Sequence, residues 1–341
     1  MHSFDHDALG RYLAQHVEGF GRLDAIEKFP GGQSNPTYRL QSGVKSYVLR
    51  AKPPGTLLKS AHAVDREFRV MRALAASDVP VPRVFHLSPE ISPVGPQFLV
   101  MEMVEGRIFW DPALPGLSRD ARTATYDAMN RTLAALHSID PAAVGLADFG
   151  KPGNYFERQV TRWSGQYRQA ATDPLPDADW LMGWLAENMV PDDGGNSIVH
   201  GDFRIDNMIF DAHSPRVLAL LDWELSTLGH PLADLAYQCM HWRLPHEGHF
   251  RGLGGVDRAA LGLPDEDTYV ASYCTRRGIA PPENWTFYLV FSYFRLLAIL
   301  QGVYRRGIDG NASNPRDTDR LRAVIALLAR DARALARQNR A

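Results

Sequence analysis

The chain has 341 residues, of which 45% are hydrophobic and 22% charged, and its formal net charge is −2. That length admits one large domain or two lobes with a sizeable core, and the near-neutral balance gives no reason to expect nucleic acid or an anionic membrane as a partner. The two cysteines, Cys239 and Cys274, lie far apart without metal-ligand spacing, as expected of reduced core residues in a cytoplasmic protein.

The first residues, Met1 to Asp7, lack the basic start and apolar core of a secretory signal. Residues 3–18 read as a helix, with Ser3 able to cap it and Leu9, Leu13 and Val17 at helical spacing. Residues 26–29 make a short strand, which Pro30-Gly31-Gly32-Gln33-Ser34-Asn35-Pro36 breaks. Residues 37–41 and 46–50 are the next two strands, turning at Ser42-Gly43. A glycine-rich turn between paired strands lets backbone N–H groups reach phosphate oxygens. Gly31, Gly32, Ser34 and Asn35 are therefore nucleotide-binding candidates, although no Gly-Lys-Ser/Thr follows as in a P-loop. Residues 61–76 form a helix with Val64, Phe68, Met71 and Leu74 on one face and Glu67 at its edge. Prolines 80 and 82 end that region, and strands follow at 84–87 and 97–104. Residues 118–138 are helical, with His137 near the end as a capping or packing residue. A helix at 154–172, a break at Pro174 and Pro176, and a helix at 180–189 lead to the turn 191–196.

A short apolar run at 197–199 then opens into His200-Gly201-Asp202-Phe203-Arg204-Ile205-Asp206-Asn207, and a second run follows at 208–210. A third run, 217–221, delivers Asp222-Trp223-Glu224. This reads as strand, polar loop, strand, strand, with an acid at 202, an amide at 207 and an acid at 222. Phosphoryl transfer needs that order: a carboxylate to hold the acceptor hydroxyl, and an amide with a carboxylate to hold Mg2+ on the phosphates. Helices follow at 231–242, 266–277, 284–306 and 317–338, and the apolar stretch within 287–302 carries Arg295, which argues against a membrane span. His241, His246 and His249 fit no zinc spacing and read as solvated or pocket histidines.

His200-Gly201-Asp202 through Asn207, with Asp222-Trp223-Glu224, resembles the aminoglycoside phosphotransferase family of kinase-like enzymes. The run Leu221 to Tyr237, LDWELSTLGHPLADLAY, and the stretch Asn154 to Trp163, NYFERQVTRW, are similar to the kinase-like domain that some organisms fuse to acyl-CoA dehydrogenases. The resemblance implies a two-lobed, protein-kinase-like α+β fold. A small antiparallel-sheet N-lobe would cover 1–101, a hinge 102–104, and a larger, mainly helical C-lobe 105–341. It further implies ATP and Mg2+ as cofactors, with nucleotide in the cleft. Asp202 would be the catalytic carboxylate that orients the acceptor hydroxyl and takes its proton, and Asn207 and Asp222 the metal ligands. Arg50 would stand where kinases carry the phosphate-binding lysine, with Lys52 a rival on the same strand face, and Glu67 would pair with the basic residue. Met101 would fill the gatekeeper place, and the Glu102 carbonyl and Val104 N–H would face adenine. Asp234 would hold the backbone of the catalytic loop.

The acceptor is less determined. Residues 230–341 hold 15 arginines, no lysine and 11 acids, about +4, whereas kinases of cationic antibiotics favour an acidic pocket. The subgroup resemblance implies a hydroxyacyl-CoA. An aminoglycoside, amino alcohol or sugar stays open as acceptor, as does a nucleotide-binding or regulatory module without turnover.

Overall fold

The computed structural model describes residues 4–30, 35–53, 63–247, 250–309 and 318–338. In chain order the elements are α1 (His6–His16), β1 (Ala25–Lys28), β2 (Thr37–Ser42), β3 (Lys45–Ala51), α2 (Val64–Leu74), β4 (Val84–Leu87), β5 (Ile91–Ser92), β6 (Gly95–Pro96), β7 (Phe98–Glu102), α3 (Arg119–Ser138), α4 (Tyr155–Ala170) and α5 (Pro176–Glu187). There follow β8 (Ser197–Val199), β9 (Met208–Phe210), β10 (Val217–Leu220), β11 (Thr227–Gly229), α6 (Leu232–Arg243), α7 (Arg258–Leu261), α8 (Glu266–Arg277), α9 (Trp285–Ile308) and α10 (Thr318–Gln338). The chain divides into two compact units: one of Met1–Ile108, Ala142–Leu146 and Asp206–Ser226, the other of Phe109–Pro141, Ala147–Ile205 and Thr227–Ala341.

The first unit is built on an antiparallel sheet in the order β1-β2-β3-β7-β4. Tyr47, Val48 and Leu49 of β3 are all buried, as a central strand requires. Leu9, Leu13 and Val17, the spacing that marked the first helix, join Leu40, Leu49, Phe98 and Val100 in one core. Each leucine buried there is worth roughly 1.5–3 kcal/mol. α2 packs on β4 and β7 and on the turn Trp223–Leu225. The β9–β10 hairpin also belongs to this unit, and its Phe210 pairs with Arg107. A Cβ at Gly106 would stand 2.3 Å from the Phe210 carbonyl oxygen, so only glycine allows that approach.

The second unit is mostly helical. α9 is long and apolar enough to cross a membrane by length and composition, yet 78% of its apolar window is buried, and it packs against α4, α6 and α10. β8 and β11 pair antiparallel in the same unit, Thr227 opposite Val199.

Several boundaries move from their expected places. α1 starts at His6 because Asp5 accepts the Ala8 N–H at 2.7 Å; Ser3 lies outside the described residues. α5 starts at Pro176, which the sequence reading treated as a break. Proline has no N–H to lose in the first turn and its φ is preset for a helix. β7 stops at Glu102, so Val104 lies in irregular backbone. β5, β6, β11 and α7 were not expected, being too short to show a period.

Candidate active site

In the first unit four charged side chains and one amide converge. Arg50 sits on β3 opposite Thr37 and Leu99. Its Nε donates to Glu67 Oε1 at 3.0 Å, so the pair expected between strand and helix is present. Its Nη2 donates to the Asp222 carboxylate and lies 3.7 Å from Glu224 Oε2. Asn35 Nδ2 donates to Glu67 Oε1 at 3.0 Å and to Glu224 Oε2 at 3.4 Å. Burial works against the Arg50 charge, but Glu67, Asp222 and Glu224 outweigh it and hold its pKa above the ordinary value. Glu67 is 2% exposed, and burial, with Asp222 and Glu224 adding to it, raises its pKa even though Arg50 opposes.

The turn that carries two of these acids is tightly fixed. Asp222 adopts left-handed backbone, φ 66° and ψ 59°, which Asp tolerates better than most residues. Trp223 is fully buried, its Nε1 donating to the Leu220 carbonyl at 2.9 Å. Ser226 Oγ donates to the Trp223 carbonyl at 2.6 Å, and Arg66 Nη2 to the Ser226 carbonyl at 3.2 Å. Asn207 closes the turn Ile205–Asn207, and its carbonyl accepts the Leu221 N–H at 2.8 Å, tying it to the strand that ends at Asp222. Glu67, Asp222 and Glu224 offer oxygens within 4.8 Å of one another. Oxygen donors alone suit a hard cation such as Mg2+. The buried Asn35 Oδ1 has no hydrogen-bond partner among the described residues.

In the second unit the loop after β8 is held from below and behind. The Asp234 carboxylate of α6 accepts the N–H groups of His200 at 2.6 Å and Gly201 at 2.8 Å, and His137 Nε2 stands 3.3 Å away. Burial opposes its charge, but these bonds prevail and its pKa falls below the ordinary 3.8. His137 is also bonded to Tyr273 and, through its carbonyl, to Ser197, which makes it a support rather than a catalyst. Arg295, 7% exposed on α9, donates to the Gly201 carbonyl at 2.6 Å, with its guanidinium over the rings of Tyr237 and Trp163. Gly201 has φ 86°, a conformation that favours glycine. The loop thus presents Asp202, one side-chain oxygen of which lies 3.2 Å from Arg204 Nε. The Tyr237 ring lies under the Arg295 guanidinium, and burial first, then the charge of Asp202, raises its pKa.

The structure therefore brings Asn35, Arg50, Glu67 and Asp222 together, with Asn207 tied to the same strand end, and places Asp202 in the second unit. Gly31, Gly32 and Ser34 lie outside the described residues, as does His249. Lys52 reaches no partner of Arg50; its Nζ is 4.0 Å from Asp65. Met101 is buried on β7, Glu102 Oε2 accepts the Arg83 N–H at 3.2 Å, and Val104 is partly exposed. His241 and His246 share no metal cluster among the described residues. Sequence reasoning missed Glu224, Arg204, Tyr237 and Arg295 as parts of the site. Arg295 was the legible one: an arginine within a long apolar run is almost always buried for a reason.

The sequence profile of the phosphotransferase enzyme family (APH) matches residues 25–268. Acyl-CoA dehydrogenase family member 10 of Mus musculus is 47% identical over 311 residues, covering 90% of this chain, which spans only 29% of the mouse protein's length. A crystal structure from Ralstonia eutropha JMP134, provisionally described as an aminoglycoside phosphotransferase, is 47% identical with a TM-score of 0.89, covering 98% of this chain and 99% of that one. Aminoglycoside phosphotransferase APH(4)-Ia, solved as a complex with AMP-PNP and hygromycin B, matches with a TM-score of 0.63 at 14% identity, covering 97% and 98%, and so shares the fold. A small antiparallel sheet and a mainly helical unit agree with those matches: the chain has the kinase-like α+β fold and belongs to the aminoglycoside phosphotransferase family of phosphotransferase enzymes.

Proposed function

We propose that the chain transfers the γ-phosphoryl group of ATP to a hydroxyl of a hydroxyacyl-CoA. The observation that carries the acceptor class is the setting of Asp202, which stands beside the guanidinium of Arg204 on a loop whose Gly201 carbonyl accepts from Arg295. A polycation entering that site meets like charge, whereas an anionic or neutral acceptor does not. The lysine-free, arginine-rich C-terminal region supports the same reading, since arginine meets phosphate with paired N–H donors.

In this reading Arg50 steadies the phosphates and Glu67 steadies Arg50. Asn207 and Asp222 would hold Mg2+, with the Glu224 carboxylate near that of Asp222. The cation, when bound, neutralises phosphate charge as the bond to the leaving group lengthens. Asp202 orients the acceptor hydroxyl and takes its proton, and Arg204 fixes the carboxylate for that task. The adenine contacts fall to Glu102 and Val104. A second reading, a nucleotide-binding module without turnover, is favoured by one contact: Arg50 is already engaged by Asp222.

ATP consumption with Mg2+ over a panel of hydroxyacyl-CoA thioesters, sugars, amino alcohols and kanamycin tests both. Turnover is expected with a hydroxyacyl-CoA. Phosphorylation of kanamycin alone would overturn the acceptor class, and nucleotide binding without turnover on any acceptor would favour the module.

A further inference from the structure

α6 directs three polar side chains along one face, at positions 234, 237 and 241, three and four residues apart. Asp234 holds the loop backbone, and the Tyr237 ring packs under the guanidinium of Arg295, which donates to the Gly201 carbonyl of the same loop. His241 is 8% exposed, its ring meets the Tyr237 ring edge-on at 4.7 Å and the Phe250 ring at 6.3 Å, and the charges acting on it are those of Arg204, Asp202 and Arg295. Its Nε2 is buried and has no hydrogen-bond partner among the described residues.

Buried side-chain nitrogens are nearly always paired, so one left without a partner among the described residues is open to a partner that a ligand brings. His241 is tied to the Asp202 loop by contact: its ring abuts Tyr237, the Arg295 guanidinium lies 5.1 Å from the Tyr237 ring centroid, and Arg295 donates to the carbonyl of Gly201, the residue before Asp202. We propose that His241 is an acceptor-binding residue, its Nε2–H donating to the thioester carbonyl oxygen of the hydroxyacyl group whose hydroxyl Asp202 receives. Burial first, then Arg204, lowers the ring's pKa to about 3, so at neutral pH it offers a donor without a charge. A neutral donor matches a carbonyl and gains little from an ammonium group. The inference rests on the phosphotransfer reading above.

The test compares wild type with His241→Phe, which keeps the ring contact with Tyr237 and removes the nitrogen, and His241→Gln, which keeps a donor. Two ligands are used: a hydroxyacyl-CoA, and the matching hydroxyalkyl-CoA thioether with CH2 in place of the carbonyl. His241→Phe should raise the KM for the thioester about tenfold, the size of one lost hydrogen bond, while the KM for ATP stays within about twofold. His241→Gln should lie nearer to wild type. The thioether should bind wild type and His241→Phe alike, because it has no carbonyl for the ring to meet. An unchanged thioester KM in His241→Phe, or an equal loss for both ligands, overturns the role and leaves His241 a packing residue. If His241→Phe does not fold, His241→Asn, polar but too short to reach, must show the same selective loss. Wild-type turnover of the thioester with an unaffected variant removes this inference alone. Wild-type turnover of kanamycin only removes the hydroxyacyl reading, and the inference with it, since its partner is the thioester carbonyl.

Discussion

Arg50 shows how one side chain can be legible in sequence while its surroundings are not. It and Lys52 share a strand face by alternation, and only the register separates them. The strand ends at Ala51, and Lys52 Nζ lies 4.0 Å from Asp65, whereas Arg50 meets Glu67, Asp222 and Glu224. Arg50→Ala should raise the KM for ATP about tenfold or more and lower the melting temperature, because three carboxylates lose their counter-charge. Arg50→Lys should fall between, keeping the charge and losing the fork. Lys52→Ala should change the KM by less than about twofold. Steady-state kinetics over ATP decides, and a reversed order would move the phosphate contact to Lys52. The pair Arg50–Glu67 was legible through the resemblance to kinases, which pairs a strand base with a helix acid. Glu224 could not, because its contact with Arg50 depends on the left-handed Asp222 and the buried Trp223, neither of which leaves a period in the sequence.

At the scale of elements, α6 is the support on which the Asp202 loop rests. Asp234 is 1% exposed and accepts two backbone N–H groups, so Asp234→Asn, which lacks the charge, should cost about 1.5–3 kcal/mol per charge-assisted bond weakened. The pH dependence has a fixed sign. The folded-state pKa of Asp234 lies below the ordinary 3.8, so its contribution is complete above that value and is lost as the pH falls through the lower folded one. Urea unfolding of wild type and Asp234→Asn should therefore give a gap that is constant at neutral pH and narrows below about pH 4; a gap that widens on acidification would contradict the depressed pKa. The long elements, α3, α4, α6, α8 and α9, were readable because apolar residues repeat over several turns. β11 and the short β5–β6 hairpin were not, since two or three residues carry no period. Pro176 misled in a specific way: the residue that stops a helix interior also starts a helix.

Over the whole molecule the net charge of −2 conceals an uneven distribution, with residues 230–341 at about +4 by count of 15 arginines against 11 acids. If those arginines meet an anionic acceptor, kcat/KM for a hydroxyacyl-CoA should fall as NaCl rises from about 50 to 300 mM, as screening shortens the reach of surface charge. KM for an uncharged sugar, where one is accepted, should not follow; equal salt dependence for both would remove charge complementarity from the acceptor argument. The two-unit division was expected as a single crossing near residues 102–104, but the contacts return Asp206–Ser226 to the first unit. Isolated backbone contacts, Phe210 with Arg107 and the Leu220 N–H with the Pro80 carbonyl, rather than composition, set that return, so no linker signal announces it. One practical result concerns how the gene can be divided. A protein truncated after Ile108 keeps Arg50 and Glu67 but loses Asp222 and Glu224, while the complementary piece carries both acids without the arginine they surround. No single cut yields either unit whole, and complementation between two co-expressed halves would have to rebuild the carboxylate cluster from separate polypeptides.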